Sequence, residues 1–411
     1  MATATSRPRL RPIETIIVPD RRLGRALMLR DTQGVAQGHA MLPMDLVPIV
    51  ARFTGRSTCE QIARDVAKET GVAVPLELVI RLASELEEAF FVEGAPYKKE
   101  RARIEQVFAD ATVRAATHAG GAYHGDPQKL AEYIQKDCFG KAAAHAGPNG
   151  ASRLVGLVAP HIDPWRGARG YGEAYGVLGQ RLPPDAHTFV LFGTSHAPMH
   201  EPFALCRKAF ETPLGPLEAD TNAIDRIASA CDFDPYADQF NHQREHSLEF
   251  QVVFLRHLLG DRPAKIIPIL AGLGAQQSTG ESPKGSRSVE RFLDAVRKTV
   301  DEQNAVVIAG ADLAHVGPRF GDPRAFDESE RLALDETDRE SLDHAVRGDA
   351  EGFWTHVAGD LETRRVCGLA PIYCLLRTVT AGATGHLRHY EQNVDPDEGS
   401  IVSHAALGFY A

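Results

Sequence analysis

Five short, nearly all-apolar runs separated by stretches of helical periodicity constrain this 411-residue chain more than any other feature. The runs are Leu154–Ala159, Thr188–Gly193, Lys265–Ala271, Ala305–Ala311 and Ile401–Tyr410. Segments such as Phe189-Val190-Leu191-Phe192 and Val306-Val307-Ile308-Ala309 lack polar alternation, which suits strands covered on both faces. Between the runs, Tyr171–Arg181, Thr221–Ala230, Glu245–Leu259, Val289–Glu302, Glu328–Arg347 and Pro371–Thr380 read as helices. Alternation of this kind predicts a layered α/β domain. The Gly- and Ser-rich stretch 272–288 reads as a surface loop.

The first 110 residues carry a different pattern. Gly24–Asp31 reads as a strand and Asp45–Phe53 as a short helix despite Pro48. Ser57 and Glu60 fit a capping box with Ser57 as N-cap. Ile62, Ala63, Val66 and Ala67 follow at helical spacing, and Gly71 stops that helix. Pro75 opens another, with Leu76, Val79, Ile80 and Leu86 on one face, and Phe90-Phe91-Val92 before Gly94 reads as a short strand. Three helices followed by strand and turn outline a winged-helix unit over 1–110, ahead of the α/β domain over 111–411. This outline resembles the PqqD-like domains that accompany peptide-modifying enzymes, which implies a peptide ligand or partner at this unit; a plain packing appendage is the alternative. Residues 111–152 are rich in Ala, Gly and His, with a helix opening at Asp126.

Charge divides at the same boundary: 16 basic and 15 acidic residues precede it, and 29 and 40 follow, for a net charge of −10 over the chain. An acidic main body argues against nucleic-acid binding. No run approaches the ~18 consecutive apolar residues of a membrane span, and the N-terminus lacks the apolar core of a secretory signal. The expectation is a cytoplasmic protein with neither a membrane nor a nucleic-acid partner. Six cysteines without a C-x-x-C pair read as reduced thiols. Five read as small core residues, and Cys367 stands apart.

Chemistry collects where strands end. Ala159-Pro160-His161-Ile162-Asp163 follows one run, Gly193-Thr194-Ser195-His196 another, and Gly310-Ala311-Asp312-Leu313-Ala314-His315 a third. In open α/β sheets the ligand crevice lies beyond the carboxyl ends of the strands, so these side chains can converge. A Gly or Pro ahead of each His lets the chain turn at the strand end. Converging imidazoles are what a mononuclear metal site needs, although any one histidine alone reads as an ordinary hydrogen-bonded residue. In Glu245-His246-Ser247-Leu248-Glu249, His246 and Glu249 are neighbours in a first helical turn; they read either as support or substrate contacts for the site, or as a helix cap with a surface pair. Cys367, in a turn before an apolar helix, reads as a buried thiol, a soft metal ligand or a nucleophile.

These motifs, together with Ala119-Gly120-Gly121-Ala122-Tyr123-His124-Gly125-Asp126 and Cys367-Gly368, resemble the MEMO family, in the branch of the AmmeMemoRadiSam system protein B. The resemblance runs from about Val113 to the end. It implies a fold similar to that of LigB-type class III extradiol dioxygenases and one non-haem metal ion, Fe(II) first and Cu as a competitor because a thiolate is a soft ligand. It implies His161, His196 and Cys367 as metal ligands, His315 as general acid/base, and Asp312 as its orienting or charge-balancing partner or as an additional ligand. Radical-SAM and Amme-type proteins are the implied partners. The chain departs from the animal-type pattern at Ala197 and after His161, so Asp163, Trp165 and Arg166 are expected to line a substrate pocket of its own. The resulting expectation is a metal-dependent, dioxygenase-like redox enzyme. The alternative is a metal-binding scaffold without turnover that docks a peptide or partner protein.

Overall fold

Apolar runs without alternation belong at the centre of a sheet, and in the computed structural model they are found there. Residues 1–22, 24–36, 38–142, 153–182 and 184–411 are described, and the chain divides into two compact units, Met1–Asp110 and Ala111–Ala411. In the larger unit Leu154–Ala159, Val306–Gly310, Thr188–Thr194 and Lys265–Ala271 lie side by side in that order, all parallel. Ile401–Tyr410 extends this core antiparallel to Leu154–Ala159, and its first residues pair on the same edge with Asp312–Val316. Thr384–Val394 pairs along its other edge. Phe203–Leu205 flanks Lys265–Ala271 on the far side.

Helices cover both faces. Val155, Val158, Val190, Phe192, Ile267, Ile269, Val307 and Ala309 share one core with Phe292, Leu293 and Val296 of helix Arg287–Gln303 and with Ile372 and Leu375 of helix Leu369–Thr378. Helices Pro164–Arg181 and His246–Leu259 pack on the opposite face, where Tyr171 stacks on Phe254 with ring centroids 4.2 Å apart. Full burial of such side chains contributes roughly 1.5–3 kcal/mol each. The chain is therefore a layered α/β protein.

Several local expectations are corrected. Helix Pro164–Arg181 starts well before Tyr171, because Gly167 and Gly170 interrupt its apolar pattern while Asp163 caps it, accepting from the Arg166 N–H at 3.2 Å. The stretch 272–288 includes a short helix, Gly274–Thr279. The end of the Ala-, Gly- and His-rich stretch, 143–152, lies outside the described residues.

In the smaller unit three antiparallel strands, Glu14–Asp20, Gly24–Arg30 and His39–Pro43, precede helices Cys59–Thr70, Leu76–Glu88 and Ala95–Asp110. The strand expected at Phe90–Val92 is only an isolated bridge between Leu10 and Val92, because Phe90 takes φ 64° and turns the chain. A further helix follows in place of the expected turn. The N-cap of Cys59–Thr70 is Thr58, not Ser57, and Gln61, not Glu60, completes the box: Gln61 N–H donates to Thr58 Oγ1 at 3.2 Å and Thr58 N–H to Gln61 Oε1 at 2.8 Å. The two readings differ by one residue of register. Thr58→Ala is expected to cost about 1 kcal/mol in a chemical-denaturation measurement, and Ser57→Ala almost nothing.

Candidate metal centre

Three elements deliver the site, and packing explains how they come so close. His161 follows strand Leu154–Ala159, His196 follows Thr188–Thr194, and Cys367 precedes helix Leu369–Thr378. Helix His246–Leu259 starts directly over the ends of strands Thr188–Thr194 and Val306–Gly310. A Cβ on Gly193 or on Gly310 would collide with Ser247. Neither glycine has a positive φ, so close approach of the helix rather than a sharp turn accounts for both.

His161 is buried, and its Nδ1 lies 3.0 Å from the Gly310 carbonyl, to which it donates. That turns Nε2 toward Cys367 Sγ, which lies 3.1 Å away. The His161 main-chain N–H donates to Asp312 Oδ1 at 2.8 Å. His196 is held in the same manner by Glu245: its Nδ1 is 3.0 Å from Glu245 Oε1, and its N–H donates to Oε2 at 2.8 Å. Thr194 Oγ1 donates to the Cys367 carbonyl at 2.8 Å, which ties the thiol-bearing turn to a strand end. One donor atom each from His161, His196 and Cys367 lies within 4.8 Å of the others.

The electrostatics follow from this packing. Burial alone would raise the Cys367 thiol, but His161 and His315 and the hydrogen bonds from His161 and His196 pull it down to about 5. Burial alone would lower His161, yet the Cys367 and Asp312 charges raise it to about 9. Glu245 and Cys367 likewise raise His196 against burial. His246 is pushed the other way by burial and by the neighbouring His196 charge.

The remaining expected residues are distributed unevenly. His246 belongs to the cluster, its ring stacked on His196 at 4.6 Å. Asp312 lies against His161, with Oδ2 at 3.8 Å from Nε2. His315 lies within the strand Asp312–Val316 rather than past a strand end. Its Nδ1 donates to the Leu313 carbonyl at 3.1 Å, and its ring meets Phe320 edge-on. Glu249 turns away from the trio. It forms a buried ion pair with Arg114 and accepts from His118 N–H at 2.9 Å and from Tyr123 OH at 2.5 Å. Asp163 caps its helix and pairs with Arg166 Nε at 2.5 Å. Trp165 donates from Nε1 to the Gly121 carbonyl at 3.0 Å and packs against His124 and Tyr133.

Sequence reasoning missed Glu245, Arg114 and His118. Glu245 occupies an N-cap position, where Ser, Thr, Asp and Asn are favoured, and a glutamate there beside a histidine was the available signal. Arg114 gave none, since its carboxylate partner is 135 residues away.

The Memo-like protein family matches residues 114–408 of the chain. The chain belongs to this family. A MEMO1 family protein of Aquifex aeolicus is 25% identical over 389 residues, covering 94% of this chain and 96% of its own length. Most of the smaller unit of the Memo-like chain therefore falls within that match. A MEMO1 family protein of Thermus thermophilus is 27% identical over 269 residues, which is 64% of this chain and 73% of its own. The solved structure of an uncharacterized Escherichia coli K12 protein aligns with 62% of this chain and 99% of its own at 14% identity and a TM-score of 0.35, too distant a likeness to bear on the site. No helix among the described residues is long and apolar enough to cross a membrane.

Proposed function

We propose that this Memo-like protein holds one metal ion on His161 Nε2, His196 and Cys367 Sγ and uses it in redox chemistry of the dioxygenase type. One observation carries the reading: two imidazoles, each with Nδ1 already engaged by an oxygen, and one acidified thiol bring their donor atoms within 4.8 Å of one another. A cysteine–histidine nucleophile needs one imidazole; a second, braced by its own carboxylate, is superfluous to it and suits a ligand set. The donors fit a borderline or soft ion, so Fe(II) is the first expectation and Cu its competitor. When bound, such an ion supplies Lewis-acid and electron-transfer chemistry.

The protein's own groups would have distinct tasks. Asp312 holds the His161 main chain and balances its charge. His315, with Nδ1 committed to Leu313, keeps Nε2 available to accept or donate a proton. Trp165 and Arg166 face a substrate that is expected to belong to a radical-SAM modification system with an Amme-type partner, an expectation that rests on the family resemblance.

Anaerobic loading with Fe(II), followed by O2-uptake measurement against catechol and peptide panels, tests this reading. One equivalent of metal with substrate-dependent uptake supports it. One equivalent without uptake points to a metal-binding scaffold, and no metal removes the reading. Glu245→Gln is expected to weaken affinity about 10–100-fold, the usual effect of losing a carboxylate that orients a ligating histidine. Isothermal titration with Co(II) checks this.

A further inference from the structure

Asp312, His404 and Glu391 stand directly opposite one another on three neighbouring antiparallel strands: Asp312 pairs with His404, and His404 with Glu391. Directly paired residues present their side chains on the same face of a sheet. The three therefore form a row running from beside the candidate metal centre toward the edge strand Thr384–Val394. His404 is fully buried, and neither ring nitrogen has a hydrogen-bond partner among the described residues. Leaving a buried polar group unpaired costs about 1–3 kcal/mol, and native folds seldom keep such a group without a use. The neighbouring helix makes room for the ring. A Cβ on Gly170 would stand 3.0 Å from both Nδ1 and Cε1 of His404, tight enough to displace it.

Both ends of the row are anchored. Asp312 Oδ1 accepts the His161 N–H at 2.8 Å. Glu391 Oε2 lies 2.9 Å from His389 Nε2, and the Glu391 side chain is 36% exposed, so this end reaches solvent. Burial holds His404 below the ordinary histidine value although the Asp312 and Glu391 charges both act to raise it. The ring is thus neutral at rest, with one bare and one protonated nitrogen.

We propose that His404 is the middle of a buried proton path between Asp312 at the candidate metal centre and Glu391 at the solvent-facing sheet edge. A proton arriving at the bare nitrogen is matched by loss of the proton on the other, so the imidazole ends neutral in the opposite tautomer. Neither ring nitrogen is within hydrogen-bond distance of a carboxylate, so each transfer requires one bridging water. The proposal deepens the metal-site reading, because it gives that site a route for protons across the sheet to the edge strand Thr384–Val394.

The test uses the full-length, metal-free protein labelled with 15N-histidine. Exchange of the His404 ring proton with water is expected to be at least tenfold faster than exchange of the amides of strand Leu154–Ala159, despite equal burial. It is expected to slow at least tenfold in Glu391→Gln, a neutral isostere at a partly exposed position that leaves the fold intact. Exchange as slow as the core amides in wild type, or unchanged in Glu391→Gln, overturns the path. Added Zn(II) probes the inner end: shifts at His161 and His404 together support the link through Asp312, and a shift at His161 alone overturns it. Absence of any Zn(II) effect at His161 and His196 fails the metal reading instead, and the exchange measurement on the metal-free protein still decides the path.

Discussion

Cys367→Ala is expected to remove tight metal binding from the protein, lowering affinity for Co(II) by more than ~100-fold, beyond the effect of losing a residue that only orients a ligand. Cys367 Sγ faces His161 Nε2 at 3.1 Å, and His315 adds its field, so the proton that a metal must displace is already weakly held. Metal affinity depends on such displacement. The linkage has a definite sign in the metal-free protein. A thiol whose folded value is about 5, against an ordinary 9, keeps its thiolate through neutral pH and loses it only as pH falls through about 5. The imidazoles add to this: His161, raised to about 9, and the raised His196 must also shed protons to bind, so affinity is expected to fall steadily as pH drops from about 9 and more steeply near 5, where the thiolate is lost as well. Optical titration with Co(II) reads this directly, because the thiolate–Co(II) charge-transfer band reports Cys367 itself. The band must be absent in Cys367→Ala and in Cys367→Ser, and present but weaker to titrate in Glu245→Gln. An unchanged band in Cys367→Ala would mean that another cysteine holds the metal. Cys138, Cys206, Cys231 and Cys374 are unsuited to that, since burial leads each to a raised thiol value.

The parts of this site legible in the sequence are those whose constraint is local. A buried parallel strand must be apolar on both faces, so the central strands and their carboxyl ends could be located, and with them His161, His196 and Asp312. Edge structure leaves a weaker trace. Thr384–Val394 contains His386, Arg388, His389, Glu391 and Gln392 because one side of it is open, and nothing in that run reads as a strand. His404 was hidden for the opposite reason, being a lone polar ring inside an apolar run that reads as core. Glu245 and Glu249 differ in an instructive way. Both lie in one five-residue motif, and helical spacing favoured His246 and Glu249 as a pair. The N-cap geometry instead aims Glu245 at His196, and the helix carries Glu249 round to Arg114. The register of a capping residue and the identity of a partner far away in the chain are tertiary facts. For the same reason the capping box in the smaller unit was placed one residue early.

Arg114→Ala is expected to destabilise the larger unit by about 3–5 kcal/mol, the usual cost of breaking one side of a buried ion pair. Arg114 is fully buried, and besides its ion pair with Glu249 it donates to the carbonyls of His242 at 2.9 Å, Ala115 at 2.8 Å and Glu245 at 2.8 Å. Alanine leaves three carbonyls and a buried carboxylate without these partners. A loss of that size lowers the thermal midpoint by roughly 10 °C in a domain of a few hundred residues. The pH dependence separates this cause from simple loss of packing. Burial alone would raise Glu249, but Arg114, His118 and Tyr123 hold it well below the usual carboxylate range. In the wild type the pair's contribution is therefore present above the ordinary carboxylate value, about 4.3, and is lost as pH falls further. In Arg114→Ala burial dominates and Glu249 becomes easier to protonate than in the unfolded chain, so the variant gains relative stability on acidification. The midpoint difference is expected to narrow between pH 7 and 4, as followed by calorimetry, whereas a packing defect would leave it constant. Arg114→Lys, which keeps the charge but not the planar fork that reaches several acceptors, should fall between wild type and alanine. Because Arg114 also binds the Glu245 carbonyl, the same variants are expected to loosen His196 and to weaken Co(II) binding in step with the lost stability.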